Sequence, residues 1–378
     1  MKGLRRTAVA LAGAALVVVP ATSASAGDGG GHGGHSGEHG DSAVTTVAGG
    51  LDGPRQLNEY RGDRVVVAES DSGEVSSVDL DSGAVRTLLS GLYSPQGVDY
   101  ADGRLYVAVG EASAAPGEEA PPVPEGAATA SLLVARPDGT VLRTISLLEH
   151  EMDENPDGQP QFDEDGAPYD TLSNPFAVLA QHRRVLVADA GANAVLSVDP
   201  RSGDVTTFFV PPVVDVAGCV NAQPTVTGCD PVPTGITEGP DGLLYVSTLG
   251  AEVPGAGRVY VLTPRGHVVR VLTGLTAPTG VEVDRHGTVY VSNLFEGAPE
   301  GDEPPPDPSI IGEVVAVDRD GSRTVSKVTM PTGLLIEDGD LYASAWSVAS
   351  FLGMASSGEV VRVGADTFVP VTTPETSG

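Results

Sequence analysis

From residue 43 onward the chain repeats one unit six times, and this repetition leaves few folds open. Each unit runs from a proline through a short strand and a DG-type turn to a strand such as RLYVAV or TVYVSN. A third strand such as GRVYVLTP or GEVVAVDR follows, then a fourth rich in Thr and Val. The first strands start near Pro54, Pro95, Pro175, Pro233, Pro278 and Pro331. Strands this short and Val-rich, separated by Gly/Asp turns, bury their apolar faces by stacking sheet on sheet. Six four-stranded sheets around an axis make an all-β, six-bladed β-propeller. The sixth unit shows no clear fourth strand, but residues 43 to 49, AVTTVAG, read like the fourth strands VRTLLSG and VVRVLTG. The N-terminal strand is therefore expected to complete the last blade and to leave no large open edge.

Ahead of the repeats stand two segments of other character. MKGLRR, the apolar run TAVALAGAALVVV and the small-residue stretch ATSASA read as a secretory signal peptide over residues 1 to 26. The run falls short of the roughly 20 apolar residues that a membrane span needs. Residues 27 to 42, GDGGGHGGHSGEHGDS, are a disordered Gly/His-rich linker, and 43 to 378 form the propeller domain. The sequence carries a net charge of -30, which argues against nucleic acid or an anionic membrane as partner and favours cations near the surface. Two cysteines, Cys219 and Cys229, are expected to pair in an exported chain. The address implied is secreted and extracellular, with no membrane span after cleavage.

In a four-stranded antiparallel blade the connections alternate faces, and every long insertion falls on one of them. Residues 111 to 130, 295 to 311 and 347 to 357 join second to third strands, while 149 to 173 and 212 to 232 join blades. Insertions confined to one face mark where such a ring binds. First strands begin there and present Gln56, Gln96, Asn174, Thr234, Thr279 and Thr332 to the channel mouth. Second strands end there with Glu69, Glu111, Asp189, Thr248, Asn293 and Trp346.

One insertion contains DENPDGQPQFDE, residues 153 to 164, which fits a calcium-loop pattern of alternating oxygen ligands around a glycine. Its ligands would be Asp153, Asn155, Asp157, the backbone carbonyl of Gln159, and Glu164. Pro160 and the lack of convincing flanking helices depart from that pattern.

Residues 43 to 378 resemble the secreted ScyD/ScyE-type proteins, NHL-like six-bladed propellers. The resemblance rests on NPDG at 155 to 158, SNPFAV at 173 to 178, VADAGANAVLSVDP at 187 to 200 and VPTGITEGPDGLLYVSTL at 232 to 249. It implies the fold and an extracellular address, and no established reaction. In that family NPDG runs within a short loop into the SNP segment, whereas here QPQFDEDGAPYDTL intervenes, which sets Glu164 in an insertion.

The leading expectation is a non-enzymatic propeller that binds an extracellular protein, polymer or small molecule through its acidic loop face. The alternative is a calcium-dependent hydrolase of the lactonase or gluconolactonase kind, with Ca2+ polarising a carbonyl. No G-x-S-x-G elbow is present, and no catalytic residue stands out.

Overall fold

The computed structural model describes residues 43–112, 122–299 and 305–371. The expected signal peptide and linker lie outside the described residues, as do residues 113–121 and 300–304 of two long insertions.

Six antiparallel sheets follow one another around an axis. The strand nearest the axis in each blade is Pro54–Glu59, Pro95–Ala101, Pro175–Ala180, Pro233–Glu238, Pro278–Val283 or Leu334–Glu337. The second strands, Arg64–Glu69, Arg104–Val109, Val185–Asp189, Leu244–Thr248, Val289–Asn293 and Asp340–Ala345, are buried on both faces. This explains why they read as continuous apolar runs rather than as alternating ones. Each face packs on the neighbouring blade: Tyr106, Leu132 and Val134 of blade 2 meet Val178, Val187 and Leu196 of blade 3. Tyr245, Val259 and Val261 of blade 4 meet Val281, Val289 and Val291 of blade 5 in the same way. The core is thus a ring of layers between sheets.

Blade 6 is built from both ends of the described chain. Val44–Leu51 pairs antiparallel with Gly358–Val363, placing Val44 opposite Val363 and Leu51 opposite Gly358. Blade 5 departs from the four-strand expectation, because Val369–Pro370 adds a fifth strand outside Arg323–Ser326.

The inner strands approach the axis closely because of a Pro-x-Gly start. A side chain at Gly97 would strike the backbone of Phe176 and Ala177, at Gly235 that of Thr279, at Gly280 that of Thr332, and at Gly333 that of Arg55. Blade 1 has Gln56 at this place, and its amide spans the axis: Nε2 donates to Val178 O at 2.8 Å while Oε1 accepts from Val98 N and Val178 N. What remains is a cavity of about 20 Å3 lined by Gln56, Asn58, Phe176, Thr234, Glu282 and Leu334 among others. That is room for about one water molecule.

Candidate functional site at the loop-bearing mouth

The residue after each inner-strand proline divides the ring into two halves. In blades 4, 5 and 6 it is threonine, and each hydroxyl donates to the carbonyl of the proline position in the next blade. Thr234 reaches Pro278 O at 2.8 Å, Thr279 reaches Pro331 O at 3.1 Å, and Thr332 reaches Pro54 O at 2.9 Å. These three side chains, read from sequence as ligand groups, are buried clasps between blades. In blades 1, 2 and 3 the same place holds Arg55, Gln96 and Phe176, and no clasp of this kind is made.

The second-strand ends are likewise committed to backbone. Glu69 Oε2 accepts from Asp52 N at 2.9 Å, and Asn293 Oδ1 accepts from Thr276 N at 3.3 Å. Asp189 Oδ1 accepts from Asn174 N and its Oδ2 from Ser173 Oγ, both at 2.7 Å. Burial raises the Asp189 carboxyl to about 6 against these bonds. Each such group ties down the chain that enters an inner strand, where the backbone leaves the ladder and needs a partner. Thr248 is buried with an unpartnered hydroxyl. Trp346 packs on the blade 6 layer with Leu341 and Val361.

Glu111 is half-buried, and its Oε2 accepts from Leu172 N at 2.9 Å and Ser173 N at 3.3 Å. Burial pushes its carboxyl above the usual range, and the charges of Asp189 and Asp170 push the same way. Gln96 donates from Nε2 to Ser94 Oγ at 2.7 Å and leaves Oε1 unpartnered.

Arg55 was not singled out by the sequence reading and is the anomaly of the mouth. It is 2% exposed, its Nε donates to Ser70 Oγ at 3.0 Å, and its Nη1 has no partner. No ion pair to it is found among the described residues; Asp71 acts on it only through space. The one available sequence signal was the departure of PRQ in unit 1 from the PTG of units 4 to 6.

The calcium-loop pattern folds differently from its template. Residues Leu148–Glu154 form a helix, so Asp153 sits in helical backbone and faces solvent, as does Glu164. Successive helical side chains do not alternate toward one point, and the expected alternation of ligands from 153 onward is lost. Asn155 caps the helix in the left-handed region, and its Nδ2 takes the Gln159 carbonyl at 2.9 Å that the pattern reserved for an ion. Asp157 accepts from Gln159 N through Oδ1 and from Asn193 Nδ2 through Oδ2. Glu151, one helical turn before Asn155 and absent from the pattern, is buried instead. Burial raises its carboxyl to about 7, and the Asp157, Asp189 and Glu111 charges lie close enough to add to the rise.

A calcium ion at the axis does not fit this arrangement. Glu69, Glu111, Asp189 and Asn293 each spend a side-chain oxygen on backbone N–H groups, and Arg55 brings a positive charge to the same mouth. Among the described residues no three His, Cys, Asp or Glu side chains come together to hold a metal. Cys219 and Cys229 are joined and staple the insertion between blades 3 and 4. No described helix is long and apolar enough to cross a membrane.

No protein-family model and no curated protein matches the chain. Solved structures do. A gluconolactonase from Xanthomonas campestris aligns at 12% identity with a TM-score of 0.53, covering 85% of this chain and 90% of that one. The PQQ-bound aldose sugar dehydrogenase of Streptomyces coelicolor aligns at 12% identity and 0.53, covering 85% and 98%. Virginiamycin B lyase from Staphylococcus aureus aligns at 12% identity and 0.44, covering 87% and 88%. The shared architecture is the six-bladed propeller; at such identities the likeness establishes the fold alone. The two solved propellers matched at a TM-score of 0.53 are enzymes by name, which speaks against the leading expectation of a non-enzymatic binding protein.

Proposed function

We propose that the chain is a secreted hydrolase that opens a small lactone or ester at the loop-bearing mouth. The observation that carries the reading is Arg55, a buried guanidinium without a carboxylate partner. A charge taken out of water costs several kcal/mol unless it is paired, and arginine does not escape by losing its proton. Its counter-charge is therefore sought in a ligand. Hydrolysis of a lactone supplies one twice, first as the oxyanion of the tetrahedral intermediate and then as the product carboxylate.

In this reading Glu111 is the general base. It takes a proton from water as the water oxygen bonds to the carbonyl carbon; the ring C–O bond then breaks, and the proton returns to the departing alkoxide, leaving a hydroxy acid. A carboxyl raised by burial suits this task near neutral pH. The gluconolactonase among the structural matches supports the substrate class. The motifs shared with ScyD/ScyE-type secreted propellers, together with the disulfide, support the extracellular address.

The test is turnover of a panel of aldonolactones, simple five- and six-membered lactones and aryl esters. Arg55→Met should lower kcat/KM about 10²–10³-fold. Glu111→Gln should lower it about 10²–10⁴-fold while the far-ultraviolet dichroism stays unchanged. No turnover of any member by the unaltered chain, or turnover indifferent to both substitutions, would falsify the reading.

A further inference from the structure

Four of the nine buried side-chain atoms left without a partner among the described residues sit in one knot of the loop face, and all four are oxygens: Glu151 Oε2, Asn155 Oδ1, Gln159 Oε1 and Gln223 Oε1. The first three are brought together by short links. Glu151 and Asn155 are separated by one helical turn and joined by Asn155 N donating to Glu151 O at 3.0 Å. Asn155 Nδ2 holds the Gln159 carbonyl, and Gln161 Nε2 holds both Glu151 O and Glu151 Oε1 at 2.8 Å.

These links also fix which atom of each amide donates and which is left without a partner. Turning the Gln159 amide over would set its oxygen against Asp230 Oδ1, to which Nε2 now donates at 2.8 Å. Turning Asn155 over would set oxygen against the Gln159 carbonyl. Both amides therefore present oxygen, and Glu151 presents its second carboxylate oxygen, with Glu151 only 3% and Gln159 only 8% exposed.

We propose that Glu151 Oε2, Asn155 Oδ1 and Gln159 Oε1 bind a calcium ion that fastens the helix Leu148–Glu154 to the NPDG turn. The donor set is all oxygen and of mixed carboxylate and amide type, as a hard cation of large, adaptable coordination requires. Nitrogen and sulfur ligands, which zinc or copper would demand, do not enter it. The acidic surface raises the local cation concentration. With one carboxylate in the set, the affinity belongs to the weak extracellular class, a Kd on the order of 10⁻⁴–10⁻³ M. This site shares Asn155 with the twelve-residue pattern but replaces Asp153 and Glu164 by Glu151, and uses the Gln159 side chain in place of its carbonyl.

The proposal does not rest on the hydrolase reading, and its test needs no substrate. Thermal unfolding of the full chain is followed in EDTA, in 10 mM CaCl2 and in 10 mM MgCl2, with direct calcium titration by calorimetry. Calcium should raise the transition by about 1–4 °C in the unaltered chain and in Asp153→Asn with Glu164→Gln. Glu151→Gln and Gln159→Met should each abolish the rise and weaken the titrated affinity at least tenfold, and magnesium should have no such effect. Two different substitutions guard against one that merely misfolds. A calcium response absent from the unaltered chain, kept in both knot variants, or lost in the Asp153/Glu164 pair would overturn the assignment.

Discussion

A single hydroxyl decides how neighbouring inner strands meet. Thr279 Oγ1 bonds Pro331 O and lies 3.0 Å from Ser292 Oγ, so it joins blade 5 to blade 6 and to its own second strand. Thr279→Val keeps shape and removes these bonds, leaving a buried carbonyl short of a donor. The expected loss is about 1–3 kcal/mol of unfolding free energy, read from chemical denaturation. An unchanged midpoint would mean the clasp is redundant with the apolar layers around it. The PTG triplets were visible in the sequence, and so was their absence from blades 1 to 3. Their role was not, because a threonine facing an axis and a threonine clasping the next strand have the same spacing. Arg55 illustrates the same limit from the other side: its position is written in the chain, whereas its lack of an anionic partner exists only once the fold has set every carboxylate elsewhere.

At the scale of elements, the strands were legible and the insertions were not. Runs such as RVVVAE and LLYVST declare themselves because burial on both faces demands continuous β-branched and apolar residues. The helix Leu148–Glu154 went unread because LEHEMDE carries almost no apolar stripe; it buries only Glu151 and leans on blade 3 contacts that sequence does not reveal, such as His150 Nε2 with Thr207 Oγ1 at 2.9 Å. The strand Val369–Pro370 is two residues long, below what any periodicity can register. The disulfide insertion is coupled to the helix segment, since Asp230 Oδ1 accepts from both Asn221 and Gln159. Replacing Cys219 and Cys229 by serine is expected to cost about 2–3 kcal/mol by freeing a short loop in the unfolded chain. Hydrogen exchange should quicken first over residues 212–232 and at Gln159. Quickening spread evenly over all six blades would argue that the staple secures the ring rather than one loop.

For the whole molecule, charge and burial together set the response to pH. Burial raises Asp99 and Asp189 to about 6, and raises Glu252, Glu282 and Glu337 to about 7. In the unfolded chain these carboxyls titrate near 4. Between roughly pH 4 and pH 7 the native state therefore binds more protons than the unfolded one, and stability falls as pH rises through that window. Below it the contribution is fully present; above it the contribution is gone. The surplus of negative charge acts in the same sense. The transition temperature in EDTA at constant ionic strength should thus be higher at pH 5 than at pH 8. A flat or opposite profile would show that these carboxyls are solvated more freely than their packing implies.

The pairing of Val44 with Val363 also sets an order of assembly. Residues 44 to 51 leave the ribosome among the first of the ring and stay without their neighbour until residues 358 to 363 follow. Blades 1 to 4 gather their strands from continuous stretches of chain, and blade 5 lacks only its outermost two-residue strand, but the sixth must wait for residues 334 to 363. Contacts spanning so much sequence make closure slow. A chain still being made is thus held in an open, threadable form, and the act that locks it is the arrival of its own last blade.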